Sequence, residues 1–145
     1  NYGYTTGGTV TTVSTPVANT QNPALYQTYR AGTTLAYSFN VPPGHYQVTL
    51  KFADFISTAS GQNVFNVSVQ GISSIQSLDV YATAGSATAL DRTVRVDVTS
   101  SPMMLQLSET HGQAILSAVE ITGLQPEGNP LVNYFTQPGG GTLLP

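Results

Sequence analysis

Apolar and polar residues alternate along most of the chain. In "TLAYSFNV" Leu35, Tyr37 and Phe39 fall on one face, and in "HYQVTLKF" Tyr46, Val48, Leu50 and Phe52 do the same. A period of two is the signature of a half-buried strand. It recurs through Phe65, Val67 and Val69 in "VFNVSVQG", through Val94, Val96 and Val98 in "TVRVDV", and through Met103, Leu105 and Leu107 in "MMLQLS". The final segment of this kind, "AILSAVEIT", is apolar on both faces. Between the first two strands, "VPPGH" cannot continue a ladder, because its prolines supply no N–H; a hairpin or a short sheet-to-sheet connection is expected there. No stretch keeps a helical period beyond about two turns. The pattern predicts an all-β fold, an antiparallel β-sandwich, in which helix is incidental.

Two regions stand outside this pattern. "GGTVTTVST" near the start has high β propensity with weak facing. The residues after Gly123 hold four prolines and four glycines, a poor contribution to a core. The expected organisation is a sandwich over residues 1–123 and a Pro/Gly-rich tail over 124–145. Leu131, Val132, Tyr134, Phe135, Leu143 and Leu144 are its apolar anchors, packing on this domain or on a neighbour.

Composition narrows the partners. At 145 residues the length suits one domain, and 40% hydrophobic content with a net charge of −3 suits a chain that folds. Charged residues are only 8%, and the basic ones are Arg30, Lys51, Arg92 and Arg95, too few to track a phosphate backbone; nucleic acid is not an expected partner. Polarity comes instead from 20 Thr and 13 Ser. With scarce lysine, that composition suits an extracellular or cell-surface setting, and Asn1 opens the chain as it would in a processed or excised module. No apolar run approaches the roughly 20 residues of a membrane-spanning helix.

The search for chemistry finds little. There are no cysteines, so neither disulfides nor thiolate sites are available. Glu109 and His111 in "SETHGQ" would share one side of an extended chain, as an acid/base pair requires, but an exposed loop is the simpler reading. No serine sits in a nucleophile elbow, and His45 and His111 lack metal-ligand spacing. Asp79 and Asp91 are half the usual oxygen set for calcium. "ATAGSATALDR", residues 82 to 92, reads as a surface loop rather than a phosphate loop, and Asn66 in "NVS" is a weak glycosylation sequon inside a strand. No enzyme activity, cofactor or metal is expected.

The order of the segments resembles a known family. "LYQTYR", "YSF", "GHYQVTLKFAD", "GQNVFNVSVQG", "LDVYATAG" and "ILSAVEI", from Leu25 to Ile121, together are similar to the malectin and malectin-like family. The resemblance implies a jelly-roll, galactose-binding-like sandwich that binds carbohydrate without catalysis. It also implies that Gly44 and Gly71 sit at turns and that Arg30 pairs with an acid near the strand ends, with Asp54, where the family usually has Glu, as the candidate.

The family's sugar contacts are a tyrosine after the "YQTER"-type motif, a Tyr-Phe pair beyond the Glu, and an aspartate before the last strand. This chain has Ala31, then Ile56 and Ser57, then Gly112 in those places. The candidates for a replacement site on the same loop rim are Phe55, Gln62, Asn63, Tyr29, Tyr81 and His111, since aromatic and amide groups can grip sugars in other arrangements; the alternative reading is that they are ordinary loop and packing residues. Two functions follow. One is an extracellular carbohydrate-binding module, for a glycan or polysaccharide, with an altered or lost sugar site. The other is a structural subunit of an extracellular filament, self-associating by exchange of its terminal strands.

Overall fold

In the computed structural model, which describes residues 3–124 and 130–137, each of the alternating segments is a strand. The described elements are β1 (Gly3–Thr6), β2 (Thr9–Thr12), α1 (Ala24–Gln27), β3 (Thr28–Gly32), β4 (Thr34–Phe39), β5 (Gly44–Phe52), β6 (Val64–Val69), β7 (Ile72–Leu78), α2 (Val80–Ala84), β8 (Leu90–Val98), β9 (Met103–His111), β10 (Ala114–Leu116), β11 (Ala118–Leu124) and β12 (Pro130–Gln137). A five-stranded sheet runs β1-β4-β9-β6-β7, a four-stranded sheet β12-β11-β5-β8, and a small third sheet β10-β3-β2. All their pairings are antiparallel.

The predicted apolar faces meet in one core. Leu35, Tyr37, Phe39, Phe65, Val67, Met103, Leu105 and Leu107 from the larger sheet join Tyr46, Val48, Leu50, Phe52, Val96 and Val98 from the smaller one. Phe52 and Phe65, one from each sheet, touch across the interior with ring centroids 5.6 Å apart. This packing of two inner faces makes the fold a β-sandwich.

The connections explain what periodicity left open. β4 and β5 belong to different sheets, so the Pro42–Pro43 segment is a sheet-to-sheet crossing and not a hairpin. Gln70 and Gly71, at φ 55° and 74°, close a two-residue turn between β6 and β7 of the type that matches strand twist. The segment apolar on both faces serves two sheets in succession: β10 pairs with β3, and β11 pairs with β5. Buried Ser117 marks the switch, its N–H donating to the Lys51 carbonyl and its hydroxyl to the Tyr26 carbonyl.

Pro130–Gln137, which contains the anchors Leu131, Val132, Tyr134 and Phe135, lies along β11 of the same chain as an edge strand. Leu143 and Leu144 lie outside the described residues. No described helix is long and apolar enough to cross a membrane.

Phe65→Ala should lower unfolding stability by about 3–5 kcal/mol, because it opens a cavity against Phe52 in the middle of the core. Urea unfolding measures this, and a loss under about 1 kcal/mol would show that the two sheets do not depend on the pair.

Candidate functional site

The rim is built around Ala53–Asn63, the loop that leaves β5 and enters β6. Its first anchor is Asp54, which has no exposed surface. One carboxylate oxygen accepts the N–H groups of Ile56 and Ser57 at 2.8 Å each, and the other accepts the Ser57 hydroxyl at 2.7 Å. Three donors in place of water let a carboxylate stay buried. Asp54 was the expected partner of Arg30; the carboxylate turns into its own loop instead, and Arg30 donates to the Gly7 carbonyl at 2.8 Å, bracing the corner between β1 and β2. The Asp-x-x-Ser spacing of a local side-chain turn outcompetes a distant cation.

From Ser57 a buried polar relay continues. Asn63 donates its amide N–H to the Ser57 hydroxyl at 3.1 Å and accepts the Gln113 N–H on its carbonyl at 3.0 Å. Gly112 stands between His111 and Gln113 at φ 64°, and a Cβ there would overlap the Gln62 carbonyl and the Asn63 side chain. No side chain fits at this position without moving the rim.

The outer layer is tied together as well. Gln62 accepts the Thr58 N–H at 2.8 Å and donates to the Thr58 hydroxyl at 3.1 Å. Tyr81, on α2, donates its hydroxyl to the Thr58 carbonyl at 3.2 Å. Asp79 caps α2 by accepting from Ala82 and reaches across to the Gly61 N–H at 2.6 Å. Tyr29 and Phe55 stack at 5.6 Å and 22°.

The six candidate rim residues therefore divide by position. Tyr29 and Asn63 are buried and support the rim from beneath. Phe55 and Tyr81 are half-buried, and Gln62 and His111 are exposed. His111 pairs in register with Val64 and so sits beside Asn63 at the start of β6. Thr58, which knits these residues together with Ser57 and Asp79, was not singled out from sequence, and Ser57 and Asp79 were noted there only as a missing aromatic and half a calcium set. Two local signals pointed to them: the Asp54-to-Ser57 spacing, and an aspartate three residues before Ala82 at a helix start.

The remaining polar candidates are accounted for elsewhere. Asp91 accepts from the Tyr26 hydroxyl at 2.6 Å and from Lys51 at 2.8 Å, so it is committed to pinning α1 onto the sandwich and is not gathered with Asp79. Burial, reinforced by Asp91, pushes the Tyr26 hydroxyl well above its ordinary pKa. No hydrogen bond or ion pair among the described residues joins Glu109 to His111. Asn66 uses its side-chain carbonyl to accept the Ser77 N–H. The expected surface loop of residues 82 to 92 contains the end of α2 and the start of β8, and bridges to the rim through Ala87 N–H and the Asp54 carbonyl.

Residues 1–134 match the malectin domain family. Malectin-B of Xenopus laevis is 28% identical over 92 residues, which cover 61% of this chain and 33% of that protein. The chain thus spans about a third of the length of the curated relatives it matches. Among solved structures, a β-glucuronidase from Bacteroides uniformis superposes with a TM-score of 0.74 at 24% identity, over 82% of this chain and 14% of the enzyme. The extracellular domain of ANXUR1 from Arabidopsis thaliana superposes with a TM-score of 0.71 at 18% identity, over 83% of this chain and 39% of that one. At these identities the structural likenesses speak for the fold alone.

Asp54→Ala should cost about 2–4 kcal/mol, since it strands donors inside the loop. Thermal unfolding measures the loss, and hydrogen exchange at the Gln113 amide should accelerate through the broken relay. An unchanged Gln113 amide would show that the relay does not hold that segment.

Proposed function

The chain belongs to the malectin domain family, and on that premise we propose that it is a non-catalytic carbohydrate-binding module of an extracellular or surface protein, with a sugar site unlike the family's. The observation that carries the altered site is the crowding at Gly112, where the resemblance implies a ligand-contacting aspartate. The backbone at this position lies against the Gln62 carbonyl, so an acidic side chain has no place to stand. Ile56, in the place of a family aromatic, offers 41% exposed aliphatic surface but no hydroxyl partner and no ring face.

The replacement contacts are the accessible rim groups: the Phe55 ring, held in place by its stack on Tyr29, the Tyr81 ring, the Gln62 amide and the His111 imidazole. A ring face covers the carbon side of a pyranose, and amide and imidazole groups satisfy its hydroxyls. Tyr29 and Asn63 serve by holding the rim's shape. Many polar rim atoms already bond one another, so the site favours shape and ring contact over a dense hydrogen-bond network. Modest affinity follows from that balance. The pairing of Pro130–Gln137 with β11 gives that segment an acceptor in its own chain, which weighs against terminal-strand exchange.

A broad glycan array probed with the intact chain should return at least one ligand. Gln62→Ala and His111→Ala together should weaken that ligand by about tenfold while leaving the melting temperature within a few degrees, because both residues are exposed. An array without binders, or a binder indifferent to both changes, would remove the rim from consideration.

A further inference from the structure

The strands that end a sheet among the described residues are not equally open to a partner. β1 and β2 are four residues long and β10 is three, while β7 and β12 each pair with their neighbour through two register shifts. β8 is different. Its nine residues pair with β5 from Leu90 opposite Phe52 to Val98 opposite Gly44 without a shift, and they include no proline and no lysine. A long, regular edge of this kind presents a row of unpaired backbone N–H and C=O groups, which is a template for another strand.

The two halves of β8 differ. At its start α2 packs beside the strand, and Arg92, the one charged residue on its inner face, turns back to donate to the Asp91 carbonyl. The far half borders a groove of about 390 Å³ whose opposite wall includes Val69 and Ile72. Arg95, Val96 and Asp97 all line this groove, yet alternation sends only Val96 inward, so the backbone flank of the strand forms the wall. Ile72, across from it, is 69% exposed. On the outer face of the sheet, Arg95 makes no hydrogen bond or ion pair among the described residues. Asp97 bonds His45 through one oxygen at 2.6 Å and keeps the other.

We propose that the far half of β8 pairs antiparallel with the same strand of a second copy of this chain, about a two-fold axis at Val96. An axis perpendicular to the sheet keeps both inner faces on one side, and it must then pass through a residue and not between two. Charge selects among the possible centres. At Val94 the carboxylates of Asp91 and Asp97 would meet, and at Arg95 or Asp97 each charge would meet its own copy. At Thr93 the partner of Arg95 would be Asp91, which is already spent on Tyr26 and Lys51 in the half of the strand beside α2. At Val96, Arg95 of each copy lies opposite Asp97 of the other, Val94 lies opposite Val98, and Val96 lies opposite itself. Both unspent groups are then used. On the inner side the two grooves meet, so that Ile72 of each copy is screened from water. The contact is isologous and closed: it makes a pair and not a fibre, and each chain keeps all its own strands. Its charge pairs lie at the surface, so the association is weak and sensitive to salt. This inference stands apart from the rim reading, because none of its residues belongs to the rim.

Sedimentation velocity of the intact chain from about 10 µM to about 1 mM should show a reversible monomer–dimer equilibrium that weakens as salt is raised. Arg95→Glu and Asp97→Lys each set like charges opposite one another, and each alone should weaken the dimer by about tenfold or more. An equimolar mixture of the two variants should associate as well as the original chain, because each then offers the other the opposite charge at both positions. Both residues are exposed, so the circular dichroism of the variants should match the original. A chain that stays monomeric throughout this range would overturn the pairing and leave the edge to a strand of another protein. Variants that dimerise as the original does, or a mixture that stays monomeric, would overturn it equally. A dimer lost with Arg95→Glu but untouched by Asp97→Lys would overturn the register and move the axis to Thr93.

Discussion

A carboxylate with no exposed surface would unfold its surroundings if it were left unpaired, and at Asp54 three donors from Ile56 and Ser57 prevent that. The rim inherits its shape from this requirement. Meeting it folds the chain back on itself directly after β5, which turns Phe55 onto Tyr29 and sets Ser57 where Asn63 can reach it. Asn63 then holds Gln113, and the neighbouring Gly112 must be a glycine because the loop has closed around it. One buried charge thereby links the ends of β5, β6 and β9 into a single body. Hydrogen bonds run through the loop without a break from Asp54 to Gln113.

The strand faces were legible because alternation and burial are one physical fact seen twice. Leu35, Tyr37 and Phe39, or Tyr46 through Phe52, could face only inward once water was excluded from one side. What alternation cannot encode is which sheet a strand joins. "AILSAVEIT" showed two apolar faces without showing that Ser117 hands the chain from one sheet to another, and "VPPGH" announced a turn without choosing between hairpin and crossing. β7 went unread because "ISSIQSL" is bent by two register shifts that break its period. The candidate site was legible as a neighbourhood, since Gln62, Tyr81 and their partners do cluster. The roles of individual atoms were not, because Asp54 was assigned to a cation by analogy while its local turn had the stronger claim.

Family membership and local geometry carry different information about this chain. The first fixes a sandwich scaffold, and solved structures with the same fold include an extracellular domain and a part of a glucuronidase. The second decides what the loops can touch. Ser57 and Gly112 close the rim internally, Ser57 by bonding Asp54 and Asn63 and Gly112 by leaving the Gln62 carbonyl no room for a side chain beside it.

The chain's first and last described strands sit at the margins of different sheets: β1 is held to β4 by four register pairs, and β12 runs along β11 on the other layer. Tension applied between them would therefore load two separate rows of hydrogen bonds in series, with the two-layered interior between. The shorter row, at β1, would yield first and lengthen the chain while Phe52 and Phe65 stayed in contact. Placed within a longer polypeptide under strain, the domain would behave as a spring with a sacrificial first coil, giving way at its margin before its interior opens.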